Sequence, residues 1–594
     1  MNERNTAMRL LTSFIALSLV LACTPPASGP STAAGPSGAS GTINFPFDWA
    51  FRGLDPIGTG TQGMVATTDV RATRVGLDVL QNGGNAVDAA IAVAFALAVV
   101  HPQAGNIGGG GFAVVRTSQG ETAALDFREA APLTLIPEDY LGDDGRPTDA
   151  SRVGYLAAGV PGTVAGLSEL HERYGTQDWQ DLIAPAIDLA ANGFTVDAGL
   201  SDALTAKQTT LSQFETTAQI FYPGGEPLRT GTSFQQPLLA STLRSIAAEG
   251  KNAFYRGRIA DMIVEDMREH DGLITHEDLG RYQAKWRDPI TFEYRDHTVI
   301  SMSPPSSGGI TMAAALNILE GYDLERSGWN TPETIHLTTE AFRRAFADRN
   351  YYLGDPDFVD MPVDRLTSKE YATEQRASIS RSRASSSESF NRVPIVGEGQ
   401  NTTHFSIVDG QGNAVALTYT INGSFGSGVV VARAGFFLNN EMDDFTVRAG
   451  YANMYGLVQS DANLVGPGRR PLSAMSPTIV VDPQGDLLMV VGSPGGPRII
   501  TSVAQVIMNV VDFGMNVRNA TDAPRIHHQL LPDRLYIEDY GIDEITSSAL
   551  ISMGHQISPM SGYFGDIQLI IRGPDGTLYG ASDPRHEGGR ALGF

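Results

Sequence analysis

Two alternating stretches constrain this chain more than any other feature. Thr403–Asp409 (THFSIVD) and Asn413–Ile421 (NAVALTYTI) repeat with the period of two that marks a β-strand, and Gly410-Gln411-Gly412 between them forms a three-residue hairpin loop. A hairpin centred on Gln411 pairs Ile407 with Val415, Phe405 with Leu417 and Thr403 with Tyr419. That side is apolar throughout, and a slip of one residue would turn it to the wrong face, so the register is fixed. The other side pairs Ser406 with Ala416 and His404 with Thr418, and one step further Thr402 lies opposite Thr420. Two hydroxyls therefore stand side by side at a strand start, just after Ser380–Gln400, a Ser- and Arg-rich stretch that reads as a solvated loop or a disordered segment. By pattern alone they are either ordinary β-forming threonines or a reactive pair.

The rest of the body mixes helices with glycine punctuation. Asp69 caps a helix that runs to Gln81 and stops at Asn82-Gly83-Gly84. Asn85 caps a second, Ala86–Val100, so apolar that it must be buried on all sides yet too short to cross a bilayer. Residues 133–380 carry further helical patterns (Ile183–Ala191, Pro237–Ala248, Thr331–Asn350) with Gly and Pro breaks, and strands are expected to dominate beyond Gln400. GTGTQG at 58–63 fits a dinucleotide-binding spacing but follows no strand, and Gly108–Gly111 precedes a strand instead of a helix. The first is therefore no dinucleotide site, and the second reads as a place of close backbone approach. His527-His528 would point to opposite faces of an extended segment, which argues against one shared metal ion.

The chain of 594 residues has 42 Lys+Arg against 66 Asp+Glu, a formal charge of −24, which makes it a poor candidate for nucleic-acid binding, since that needs a basic stripe. Its one cysteine excludes an internal disulfide framework and a Cys-rich metal site. That residue, Cys23, ends the apolar run Leu10–Leu21 after Arg4 and Arg9, and a Pro/Gly/Ser/Ala/Thr stretch follows it. Residues 1–22 thus read as an export signal and 23–59 as a lipidation site with a flexible linker, which resembles a bacterial lipoprotein tethered in the periplasm by lipid alone; the alternative is an ordinary cleaved signal peptide with an incidental cysteine. Length by itself suggests three or four domains.

Eight segments, in order along the chain, resemble the γ-glutamyltransferase family: ALDFREAAP (124–132), GVPGTVAGL (159–167), PPSSGG (304–309), NTTHFSIVDGQGNAVALTYTING (401–423), FFLNNEMDDF (436–445), RPLSAMSPT (470–478), GSPGG (492–496) and GASDPR (580–585). The resemblance implies one α/β (α+β) domain, a four-layer αββα sandwich of the N-terminal-nucleophile hydrolase type, in place of several domains. It implies a precursor that cuts itself between Asn401 and Thr402 into a large subunit (60–401 of the folded body) and a small one (402–594). Thr402 would be the nucleophile, its freed α-amino group the base, and Thr420 its hydroxyl partner. The Gly495 and Gly496 amides would form the oxyanion hole. Arg128 and Ser473 would hold the substrate α-carboxylate; Asn422, Glu441 and Asp444 would hold its α-amine. Tyr455 would belong to a lid over the site. The same resemblance makes His404 structural and implies no cofactor. Many members have two serines where this chain has Ser473-Ala474, so one substrate contact is expected to be missing.

The leading expectation is an exported enzyme that splits the γ-glutamyl amide of glutathione through an ester on Thr402 and passes the acyl group to water, an amino acid or a dipeptide. The alternative is a related amidase such as a glutaryl-cephalosporin acylase, whose substrate has no α-amine. Against that alternative stands the expectation that Glu441 and Asp444 would then face no cation. A third reading is an uncut binding lipoprotein, disfavoured by the intact Thr402, Thr420 and Gly-Gly set. Taken alone, Arg128 reads as half of a surface ion pair.

Overall fold

The computed structural model describes residues 43–53, 56–390, 402–454, 456–560, 562 and 564–594, and one compact unit holds them all. Cys23, the export signal, Asn401 and Tyr455 lie outside the described residues. Two seven-stranded antiparallel sheets face each other. Their strands, in chain order, are β1 Gly58–Gly60, β2 Gly63–Thr67, β3 Gly110–Arg116, β4 Thr122–Phe127, β5 Lys285–Arg287, β6 Ile290–Tyr294, β7 His297–Ser301, β8 Thr403–Asp409, β9 Ala414–Thr420, β10 Thr478–Val481, β11 Leu487–Gly492, β12 Gln568–Arg572, β13 Leu578–Ser582 and β14 Arg590–Gly593. The first sheet runs β14-β2-β8-β9-β3-β4-β5 and the second β1-β13-β12-β11-β10-β7-β6. Both sheets mix strands from either side of residues 401 and 402, so a cut there would leave two pieces still hydrogen-bonded into one body.

The hairpin has the register that its pattern dictates: Thr403 pairs with Tyr419, Phe405 with Leu417 and Ile407 with Val415. Gly412 supplies the left-handed residue of the turn (φ +91°), and the Asp409 carboxylate accepts from the Gln411 and Asn413 amides. The apolar face of the hairpin, with Phe405, Ile407, Leu417 and Tyr419, packs in one cluster with helix α1 (Val70–Gln81) and helix α2 (Ala86–Val100). Every residue of α2 is buried, and its N-terminus carries a full capping box between Asn85 and Asp88. Burying a Val, Leu, Ile or Phe side chain contributes about 1.5–3 kcal/mol, so this helix anchors the first sheet.

The opposite face of the hairpin meets the second sheet, where Val408, Ala414 and Ala416 share a cluster with Val490 and Ile570. Helices α3 (Gly308–Leu319), α4 (Pro332–Tyr352) and α5 (Arg498–Val511) supply that cluster's Met312, Phe342 and Ile500 beyond the second sheet and complete the αββα order.

Two details depart from the sequence reading, and a third fills in what it left open. Strands β5–β7 lie within residues 133–380, where helical patterns with Gly and Pro breaks were read and no strand was named; they are short, and flanking polar residues dilute their alternation. Residues 43–53, assigned to the linker, already pack on the body: Trp49 is buried and donates from Nε1 to the Asp522 carbonyl at 2.8 Å. GTGTQG wraps the chain's own C-terminus, because the Thr61 and Gln62 amides donate to Phe594 O at 2.8 and 2.7 Å.

Candidate active site

Thr402 stands at the entry to β8 and is 8% exposed. Its Oγ1 donates to Thr420 Oγ1, at the end of β9, across 3.4 Å, the long end of hydrogen-bond range. The Thr420 hydroxyl oxygen also accepts from the Asn422 amide at 2.7 Å, and Asn106 Nδ2 holds the Thr420 carbonyl at 3.0 Å. Behind Thr420 lies Gly109, where a Cβ would collide with the Thr420 carbonyl. That is the close approach read from Gly108–Gly111. Asn422 leaves the strand in the left-handed region (φ +68°), and its Nδ2 donates to the Asn440 carbonyl at 3.0 Å.

One cavity is lined by Thr402, Thr420, Asn422, Arg128, Glu441, Asp444, Ser473, Ala474 and Gly496. Gly495 is the preceding residue of the same turn. Both glycines have positive φ (+131° and +56°), a conformation other residues adopt only with strain. Among the described residues neither of their amides donates to another group. The Gly495 and Gly496 carbonyls accept from Arg498 and Ile499 as α5 begins, so both amides sit at a helix N-terminus, where the backbone dipole favours negative charge.

Arg128 follows β4 and is 1% exposed, so the surface ion pair expected of it in isolation is replaced by a buried cluster. Its Nη1 is 2.7 Å from Glu441 Oε2 and 3.4 Å from Glu129, and its Nη2 pairs with Asp444. Nε donates to the Pro471 carbonyl at 3.2 Å. Burial works against the guanidinium's charge, but Glu441, Asp444 and Glu129 outweigh it and hold Arg128 protonated. The same burial, together with mutual repulsion, raises all three carboxyls, Glu129 to about 7. Glu441 and Asp444 come together because Glu441–Asp444 is a single 3₁₀ turn. They do face a cation, Arg128 itself. This overturns the argument that an α-amine is needed to give them one.

Ser473 is fixed through its backbone: its amide donates to the Pro305 carbonyl, and its carbonyl accepts from the Ser307 amide and hydroxyl at 2.8 and 2.6 Å. The PPSSGG segment thereby holds RPLSAMSPT against the cavity. Ala474, 9% exposed, presents a methyl group there.

The sequence reading missed Arg349, which lines the cavity from the end of α4. Its Nε donates to Ser307 Oγ at 2.9 Å, and burial lowers its pKa to about 10. The signal for it was charge in a buried stretch, since Arg343, Arg344 and Arg349 stand among the buried Ala341, Phe342, Ala345 and Phe346 of one helix. His404 is fully buried and pushed down to about 3 by desolvation, so its imidazole is neutral. His527 and His528 take different partners, Thr501 and Gln529 for one and Asp533 for the other.

A family model described as gamma-glutamyltranspeptidase matches residues 72–593. The chain belongs to that family. It is 48% identical over 527 residues to the glutathione hydrolase proenzyme of Escherichia coli (strain K12), covering 88% of this chain and 90% of that protein. It is 37% identical over 537 residues to the Acylase ACY 1 proenzyme of Pseudomonas sp. (strain V22), covering 89% and 93%. Among solved structures, the cephalosporin acylase from Bacillus halodurans superposes with a TM-score of 0.81 at 30% identity, over 93% of this chain and 99% of that one. The αββα architecture of this family is therefore shared by enzymes named for two different substrates.

Proposed function

We propose that the chain is a γ-glutamyltransferase and glutathione hydrolase that matures by cutting itself between Asn401 and Thr402. The observation that carries this reading is one cavity holding the Thr402–Thr420 hydroxyl pair, the Gly495–Gly496 turn and the Arg128–Glu441–Asp444 cluster. A threonine hydroxyl needs a base, and the cut frees the Thr402 α-amine, whose reference pKa of about 7.7–8.0 suits that role near neutral pH. The hydroxyl attacks the γ-carbonyl, the amine carries its proton to the leaving group, and the Gly495 and Gly496 amides stabilise the oxyanion. Water, an amino acid or a dipeptide then takes the γ-glutamyl group from the ester.

Charge favours a zwitterionic donor over one that brings a carboxylate alone. Arg128 is already neutralised within the protein, so an added carboxylate on its own would meet Glu441 and Asp444. A γ-glutamyl head group brings both charges: its ammonium replaces Arg128 beside Asp444 and Glu441, with Asn422 adjoining, and its carboxylate takes the released guanidinium and Ser473. Tyr455, in the segment ahead of the cavity-lining Leu457, is assigned to a lid. The chain is assigned to the periplasm, exported through residues 1–22 and held by lipid on Cys23, with residues 60–401 and 402–594 as the subunits of the folded heterodimer. Among the described residues no helix is long and apolar enough to cross a membrane.

The glutaryl-amidase reading keeps one observation in its favour, the methyl of Ala474 where a second hydroxyl would serve an α-amino-acid head group. Two measurements decide. A denaturing gel with N-terminal sequencing should show two fragments, the smaller starting at Thr402; a single full-length band would remove the enzyme reading. γ-Glutamyl-p-nitroanilide should be turned over in strong preference to glutaryl-p-nitroanilide, and the reverse preference would establish the amidase.

A further inference from the structure

A continuous chain of hydrogen bonds crosses the space between the two sheets. Ser406 donates its hydroxyl proton to the Gln568 carbonyl at 2.9 Å, so its oxygen accepts from His404 Nε2 at 3.1 Å. That fixes the Nε2–H tautomer and leaves Nδ1 to accept from the Thr418 hydroxyl at 2.8 Å. From Gln568 the chain continues through Nε2 to Asp566 Oδ1 at 2.7 Å. The Asp566 amide donates to Ser493 Oγ at 3.0 Å, and the Ser493 hydroxyl donates to the Pro494 carbonyl at 2.7 Å. One end is two residues from Thr402; the other immediately precedes Gly495. His404, Ser406, Gln568, Asp566 and Ser493 are each at most 1% exposed.

Two glycines make room for it. A Cβ on Gly492 would run into the His404 ring, and a Cβ on Gly565 would run into Ser493 Oγ. The imidazole, carried by the nucleophile strand, therefore packs directly against Gly492, at the end of the strand that leads to the Gly-Gly turn. A buried polar chain in an otherwise apolar layer adds little stability over well-packed apolar side chains, but each bond it makes restricts how its members can be arranged; every link named above is made, and Gln568 Oε1 is left without a partner among the described residues.

We propose that this chain is a positioning device that sets the Thr402 hydroxyl relative to the Gly495 and Gly496 amides. The proposal rests on Thr402 as nucleophile and those amides as oxyanion donors. His404, Ser406 and Ser493 touch no substrate; they are positioning residues. A displacement of about 1 Å at a reacting group costs on the order of 100-fold in rate, so cutting the chain should lower kcat and spare the donor pocket.

The test uses the processed heterodimers of Ser493→Ala, Ser406→Ala and the double variant. Three quantities are read: kcat and KM with γ-glutamyl-p-nitroanilide, inhibition by free glutamate, and inhibition by a γ-boronic acid analogue that forms a tetrahedral adduct on the nucleophile. Each single variant is expected to lose roughly 10- to 100-fold in kcat and the same factor in boronate affinity, with KM and glutamate affinity held within about threefold. Because both substitutions cut one chain, the double variant should lose no more than the worse single, whereas independent sites would multiply. The proposal is overturned if kcat stays within about threefold of the parent, if kcat falls without the boronate affinity, if glutamate binding falls equally, or if the losses multiply. Should Ser493→Ala fail to fold, Ser406→Ala, remote from the turn, carries the same comparison. Thr402→Ala separates the two layers of argument. Turnover retained there refutes the nucleophile, while an inactive Thr402→Ala beside normal serine variants refutes the positioning device alone.

Discussion

Asp444→Asn probes the exchange of partners at Arg128. The substitution keeps the shape of the side chain and removes one of three carboxylates around a guanidinium that is 1% exposed. For a donor with an α-amine, it replaces a charged acceptor by a neutral one at the ammonium. A hydrogen bond to a charged group contributes about 1.5–3 kcal/mol, and tenfold corresponds to about 1.4 kcal/mol, so KM for γ-glutamyl-p-nitroanilide should rise roughly 10- to 100-fold. A glutaryl donor has no ammonium to lose, and it gains a site with one negative charge fewer, so its KM should stay or fall. The ratio of the two KM values should therefore swing at least about tenfold towards glutaryl. Breaking a buried ion pair outright can cost about 3–5 kcal/mol of stability, but Glu441 and Glu129 remain on Arg128, so a melting curve should show a smaller loss. Parallel changes for the two donors would refute the exchange of partners.

Restoring a hydroxyl by Ala474→Ser should lower KM for γ-glutamyl-p-nitroanilide about tenfold, the lower end of a hydrogen bond to a charged group; an unchanged KM would show that the methyl is no handicap. Burial pushes His527 down to about 3 against an unfolded value of about 6.5, so below pH 6.5 the unfolded chain binds the proton and the folded one does not. Stability from its neutral form is complete above pH 6.5 and lost as pH falls. The Tm gap between parent and His527→Gln should thus shift in favour of the variant between pH 7 and 5; a constant gap would contradict this. Cys23→Ser should release the enzyme from membranes in soluble, processed and fully active form, as shown by fractionation and assay. Loss of activity in the folded soluble protein would link the anchor to catalysis.

Period-two alternation around Gly410-Gln411-Gly412 was enough to set the hairpin register and to place Thr402 beside Thr420, because strand pairing is local and one apolar face admits one register. The caps at Asp69 and Asn85 were equally legible, since a cap is chemistry within a few residues. Strands β5–β7 were not, being too short for a period to emerge.

Arg128 shows where sequence stops. Its charge was plain, but only the fold brings Glu441 and Asp444, more than three hundred positions away, onto its guanidinium. Arg349 and the chain from His404 to Ser493 have the same cause: they join residues from elements adjacent in space and distant in sequence. The sequence determined the hairpin strands, the caps, the threonine pair and the glycines of the turn. Tertiary structure alone decided which charges meet, because partner choice in a buried cluster depends on layer packing that no local pattern records.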